Sequence, residues 1–132
     1  MLTVWIIDDD LGFVWLLGDI FAAAGCKALP ALSCQEAITL TKQLGIEPDL
    51  VVINPDLEGV VEMLQERIGA SPDLKVVTIG PRSEKLAGLF TGPVIERPSG
   101  REAVSRLLWL EKVQNLLRKI QSSDGGIKQK QR

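Results

Sequence analysis

The sequence predicts a doubly wound α/β domain built on a five-stranded parallel sheet, and three observations carry that prediction. Apolar, β-branched runs alternate five times with segments of helical periodicity. The central runs are continuously apolar rather than alternating, as strands covered on both faces are. Cap and breaker residues fall where each run changes period.

Leu2 to Ile7 is the first strand, stopped by Asp8, Asp9 and Asp10. From Leu11 to Ala24 the spacing becomes helical: Phe13, Leu16, Leu17, Ile20, Phe21 and Ala24 share one broad face, and Gly25 follows as a C-terminal cap. Lys27 to Leu32 is a weaker strand containing Pro30, which places it at a sheet edge. Ser33 and Glu36 form a capping-box pair that opens a helix through Leu44, closed by Gly45. Leu50 to Ile53 is a second continuous strand, and Gly59 to Ile68 is helical through Val60, Met63, Leu64 and Ile68. Leu74 to Ile79 is a third central strand ended by Gly80-Pro81, and a short helix follows over Ser83 to Phe90. Pro93 to Ile95 is the last strand, and Ser99-x-x-Glu102 caps a long final helix.

Composition narrows the function classes. At 132 residues the chain can bury a core without staples. Its net charge of −2 argues against a general nucleic-acid binder. With no histidine, His-dependent triads and HExxH zinc sites are excluded. Two cysteines, Cys26 and Cys34, make no disulfide framework and suit idle thiols in a reducing compartment. No basic–apolar–small leader opens the chain and no apolar run approaches the roughly 18 residues that span a bilayer, so a cytoplasmic protein without membrane contact is expected. Trp5 and Trp15 lack a basic surround and are expected in or near the core.

Parallel sheets of this kind bind ligands at the carboxyl ends of their strands. That directs attention to Asp8–Asp10, Asn54–Glu58, Gly80-Pro81 and Glu96–Pro98. In order, these strand ends resemble the receiver domain of response regulators in two-component phosphorelay signalling, over roughly residues 3 to 121. Ile6-Ile7-Asp8-Asp9-Asp10 is similar to the family's opening acidic cluster. Pro48-Asp49-Leu50-Val51-Val52-Ile53 resembles the run before its phosphate-accepting aspartate, and Arg97-Pro98 stands in place of its Lys-Pro pair. The resemblance implies the flavodoxin-like strand order 2-1-3-4-5, with a histidine kinase or other regulator as partner. It also implies a site of Mg²⁺-binding acids, an acceptor aspartate, a switch hydroxyl and a lysine.

Mapped residue by residue, only the acids survive. Asp8 and Asp9 would hold the metal, with Asp10 beside them, but the acceptor position is Asn54. A neutral amide oxygen is a poor nucleophile for phosphoryl transfer, and its neutrality weakens a site for a hard cation. No cofactor is expected beyond a weak Mg²⁺ site at Asp8 and Asp9. Gly80 replaces the switch hydroxyl, with Thr78 two residues too early. Val94 replaces the family's aromatic switch residue, and Arg97 replaces lysine with a planar fork that is not its equivalent. Clustered carboxylates at Asp8–Asp10 call for a cation, which Arg97 could supply across the pocket. The expected function is therefore non-enzymatic: a signalling or interaction module, a pseudo-receiver. Two alternatives compete with it, a working receiver using Asp56 through a rearranged loop and a flavodoxin-like small-molecule binder. Against the first, Asp56 after Asn-Pro suits a turn former or N-cap. Against the second stands the lack of a Gly-rich phosphate loop.

The final helix suggests a partner. At about 23 residues it would be roughly 34 Å long, more than such a sheet needs. Val104, Leu107 and Leu108 suit packing on the sheet. Trp109, Leu110, Val113, Leu116, Leu117 and Ile120 form a stripe suited to a homodimer or an effector connection. Residues 1–121 are thus read as the domain and 122–132 as a polar, disordered tail or linker.

Overall fold

The computed structural model describes residues 1–80, 92–98 and 103–130, the last stretch with side chains over 106–122. The expected helix over Ser83–Phe90 and the Ser99–Glu102 cap lie outside the described residues. The chain forms two compact units, Met1–Arg97 and Pro98–Arg132.

In the first unit the elements are β1 (Thr3–Ile7), α1 (Leu11–Ala23), β2 (Lys27–Ala31), α2 (Cys34–Leu44), β3 (Leu50–Ile53), α3 (Val60–Ala70), β4 (Lys75–Ile79) and β5 (Val94–Ile95). The strands form one parallel sheet in the order β2-β1-β3-β4-β5. β2 is an edge strand, as Pro30 predicts, since proline has no N–H to give an outer neighbour. Every residue of β3 is buried, which explains why Leu-Val-Val-Ile has no polar alternation.

Strand alternation sorts the core onto two faces. Trp5, Ile7, Val51 and Ile53 cluster with Ala37 of α2 and Val60, Met63 and Leu64 of α3. α1 lies against β1 and β2 and buries Phe13, Val14, Leu17 and Phe21, none of which joins that cluster. Leu16, Trp15 and Ala24 do not face inward as expected: Trp15 is 59% exposed, Leu16 is exposed, and Ala24 is the exposed C-cap residue. At 100° per residue, Trp15 and Leu16 rotate away from the line through Phe13, Leu17 and Phe21.

The helix ends follow their caps. Ser33 accepts from the Glu36 amide at 3.0 Å, and Glu36 reaches back to the Leu32 amide at 3.4 Å. Gly45 ends α2 with φ 64° and ψ 30°, a left-handed conformation that costs a side chain with Cβ. Both cysteines are buried, and burial together with the Glu62 carboxylate pushes the Cys34 thiol up.

The second unit contains α4 (Ala103–Lys130). Trp109, Val113, Leu117 and Ile120 are buried, Leu110 and Leu116 are half-buried, and Leu107 and Leu108 are exposed. This exchanges two expectations. The stripe assigned to a partner is the covered one, and Leu107 and Leu108, assigned to the sheet, face solvent. Relative to Trp109, Leu108 is turned about 100° and Leu107 about 200° around the helix, so neither shares its face. Val104 has no described side chain. The backbone is helical to Lys130, past the boundary at 121 where the polar tail was expected to begin. Among the described residues, no helix is long and apolar enough to cross a membrane.

Candidate functional site

The carboxyl ends of β1, β3 and β5 meet around one carboxylate. Asp8, the residue after β1, has no exposed surface. Register places Ile53 beside Ile7, so Asn54 follows β3 at the same level, and its amide donates to the Ile7 carbonyl at 2.9 Å. Asn54 Nδ2 donates to Asp8 Oδ1 at 2.8 Å. Arg97, two residues after β5, forks onto both oxygens, Nη1 to Oδ2 at 2.6 Å and Nη2 to Oδ1 at 2.9 Å. The Asp9 amide adds a donor to Oδ1 at 3.1 Å. Four donors thus converge on one buried acid.

This arrangement decides the protonation state. Burial by itself would raise the Asp8 pKa. The hydrogen bonds from Arg97 and Asn54, the Arg97 charge and the Asp9 amide outweigh it and hold the carboxyl below its ordinary value. The Arg97 pKa is raised, chiefly by the hydrogen bond to Asp8, against the opposing effect of its own burial. Its guanidinium also sits over the Phe13 ring, 4.9 Å from the centroid, which fixes the plane of the fork. Phe13 was legible only as a core position; its role as the platform for Arg97 has no signature in sequence spacing.

Several solved structures are similar to this chain in fold. No protein-family model and no curated protein matches the chain. It is similar to a CheY-like response regulator receiver domain protein from Methanospirillum hungatei, with 20% identity, TM-score 0.60, and coverage of 92% of this chain and 98% of that one. A response regulator from Thermotoga maritima is similar at 20% identity and TM-score 0.62, over 89% of this chain and 98% of that one. NtrX from Brucella abortus, solved in complex with ATP, is similar at 20% identity and TM-score 0.60, over 93% of this chain. This chain spans 29% of the NtrX chain, so the matched part is one portion of a longer protein. The fold is the receiver fold.

Within that fold the expected site residues separate. Asp8, Asn54 and Arg97 are joined by side-chain hydrogen bonds; the Asp9 and Asp10 carboxylates make none of these bonds and act on Arg97 through their charge. Asp10 is instead the N-cap of α1, its Oδ1 accepting from the Phe13 amide at 3.2 Å. An aspartate before a helical run is a common cap, and that demand occupies its Oδ1. Asp9 is exposed. The donor set does not suit Mg²⁺ at Asp8 and Asp9, because both Asp8 oxygens already accept from Arg97 and the third residue is a neutral amide. Among the described residues, no group of three His, Cys, Asp or Glu side chains could hold a metal ion.

Asn54 uses both ends of its amide. While Nδ2 donates to Asp8, Oδ1 accepts from the Asp56 amide at 2.9 Å in an Asx turn. Asp56 is exposed and belongs to that turn; it is not the N-cap of α3, which is Gly59. At Gly80 an added Cβ would lie 3.0 Å from Val94 Cγ1, so the two departures at the switch positions are packed against one another. The Thr78 hydroxyl is buried without a hydrogen-bond partner.

A second cation was not foreseen. Arg67 of α3 sits 5.6 Å from the centroid of the buried Trp5 ring and pairs with Glu47 at 3.1 Å. It covers the amino-terminal end of the sheet, away from Asp8, and acts on packing.

Proposed function

We propose that this chain is a receiver-like signalling or interaction module of a two-component phosphorelay that works without phosphorylation at the acceptor position. The observation that carries the reading is the bidentate Arg97–Asp8 pair, at 2.6 and 2.9 Å, closed by Asn54. In a phosphorylatable pocket an anionic phosphoryl group and a divalent cation would balance the surrounding charges. Here a guanidinium neutralises Asp8 inside the protein, and Asn54 donates where a nucleophile would have to accept metal and attack phosphorus. The module is non-enzymatic: among the described residues no group in the pocket is placed as a nucleophile, and Asp8 is held ionised by its partners. Its output is a fixed conformation, read by a regulator, a kinase or an attached effector.

The test is the thermal stability of the full chain with Mg²⁺ and beryllofluoride, a phosphoryl mimic. An unchanged melting temperature is the expected result. A large shift that requires both Mg²⁺ and beryllofluoride would overturn the proposal. The same shift persisting in Asn54→Ala but lost in Asp56→Ala would assign the acceptor role to Asp56 instead.

A further inference from the structure

The chain's net charge of −2 is an average over two unlike parts. Residues 1–97 contain seven basic and fourteen acidic side chains, whereas residues 98–132 contain eight basic and three acidic ones. The overall acidity therefore weighs against a polyanion partner at the first unit and not at the second. From residue 112 onward the basic residues are Lys112, Arg118, Lys119, Lys128, Lys130 and Arg132, and the only acid is Asp124.

α4 gathers part of this charge on one side. Trp109, Val113, Leu117 and Ile120 are covered, so the opposite side of the helix faces outward. At 100° per residue, Lys112, Asn115, Arg118, Lys119 and Ser122 fall within about 120° of one another on that outward side, over about 15 Å of helix. All five are exposed, and no acid and no apolar residue falls within this arc from 112 to 122. Glu111 stands at the amino-terminal edge of the face, about 10 Å along the axis from Arg118 and about 12 Å from Lys119, too far to neutralise either. Lys112, Arg118 and Lys119 pair with no carboxylate among the described residues. Arg118 instead donates to the neutral Asn115 at 3.0 Å, which steadies the guanidinium and leaves its charge intact.

We propose that this face of α4 binds the phosphate backbone of a double-stranded nucleic acid without reading its sequence. Lys, Arg, Asn and Ser side chains are the groups that meet phosphate oxygens. No aromatic residue lies on the face, which denies a single strand its stacking platform. A helix lying on a membrane needs large apolar residues on its outer side. Here the face has none, and the exposed Leu107 and Leu108 precede it, beyond Glu111. The helical backbone continues to Lys130, so Lys128 and Lys130 extend the same basic element. The acidic first unit offers a polyanion nothing, so affinity comes from the second unit alone and is modest. Binding at this face does not depend on whether the Asp8 pocket accepts phosphate.

Fluorescence anisotropy of a labelled, mixed-sequence DNA duplex titrated with the full chain tests the proposal. The expected result is binding that weakens about 40-fold between about 50 and about 200 mM salt, as three phosphate contacts require. Lys112→Gln, Arg118→Gln and Lys119→Gln together should weaken binding about tenfold or more and flatten the salt dependence, with unchanged circular dichroism. Lys27→Gln with Lys42→Gln, at exposed positions of the first unit, should change neither. A duplex that stays free at about 0.1 mM protein in low salt would overturn the proposal. So would binding undiminished in the triple variant, or tighter binding of the corresponding single strand. Pelleting with phosphatidylglycerol vesicles in the absence of duplex binding would also overturn it, and would assign the face to an anionic lipid surface.

Discussion

Asp8 makes the stability of this domain depend on pH. Its pKa is lowered in the folded chain from an ordinary value of 3.8, so the unfolded chain takes up a proton first on acidification. The stability it contributes is therefore complete above about pH 4 and is lost as pH falls through the lower folded value. Asp8→Asn should cost about 2–3 kcal/mol at neutral pH in urea unfolding, the low end for a buried pair because the Arg97 side chain is 35% exposed. The gap to the wild type should narrow below pH 4; a constant gap down to pH 2 would show that the pair does not act as described. Asn54→Asp follows the opposite sign. A second carboxylate 2.8 Å from Asp8 Oδ1 replaces a donor with a like charge, which raises the pKa of one of the two acids. That variant should be about 1–3 kcal/mol less stable than wild type at pH 7 and recover as the pH drops and the added carboxyl is protonated. Thr78 gives a gain instead. Its buried hydroxyl has no partner, so Thr78→Val should stabilise by about 1 kcal/mol in the same unfolding assay.

Helix caps and strand ends account for how much of each element could be read from sequence. β3 and α2 were legible almost to the residue because their signals are local: a continuous apolar run for one, Ser33, Glu36 and Gly45 for the other. Ser33→Ala should lower stability by about 1 kcal/mol, measured by thermal or urea unfolding, with the loss confined to interactions of the α2 amino terminus. The outward residues of α1 were misjudged because periodicity weighs Leu16 and Trp15 with the core when nearly every position is apolar. In α4 the same ambiguity exchanged the covered stripe and the exposed leucines. Hydrophobicity alone cannot orient a helix that has more apolar residues than one face can hold.

At the scale of the whole molecule, parallel pairing in the order β2-β1-β3-β4-β5 brings together residues separated by dozens of positions. Asp8 and Asn54 are 46 residues apart and Asp8 and Arg97 are 89 apart, so no spacing rule finds them; the ordered strand ends do. Three of the expected site residues converge for that reason. Asp9 and Asp10, adjacent to Asp8 in sequence, stay outside those hydrogen bonds because one is exposed and the other caps the α1 amino terminus. The resulting pocket neutralises Asp8 with the protein's own Arg97, without a phosphoryl group or a metal ion. Intact mass of the full chain after incubation with acetyl phosphate and Mg²⁺ tests it most directly. A single species at the unmodified mass is expected; a species heavier by one phosphoryl group, lost on hydroxylamine treatment as an acyl phosphate would be, would contradict it.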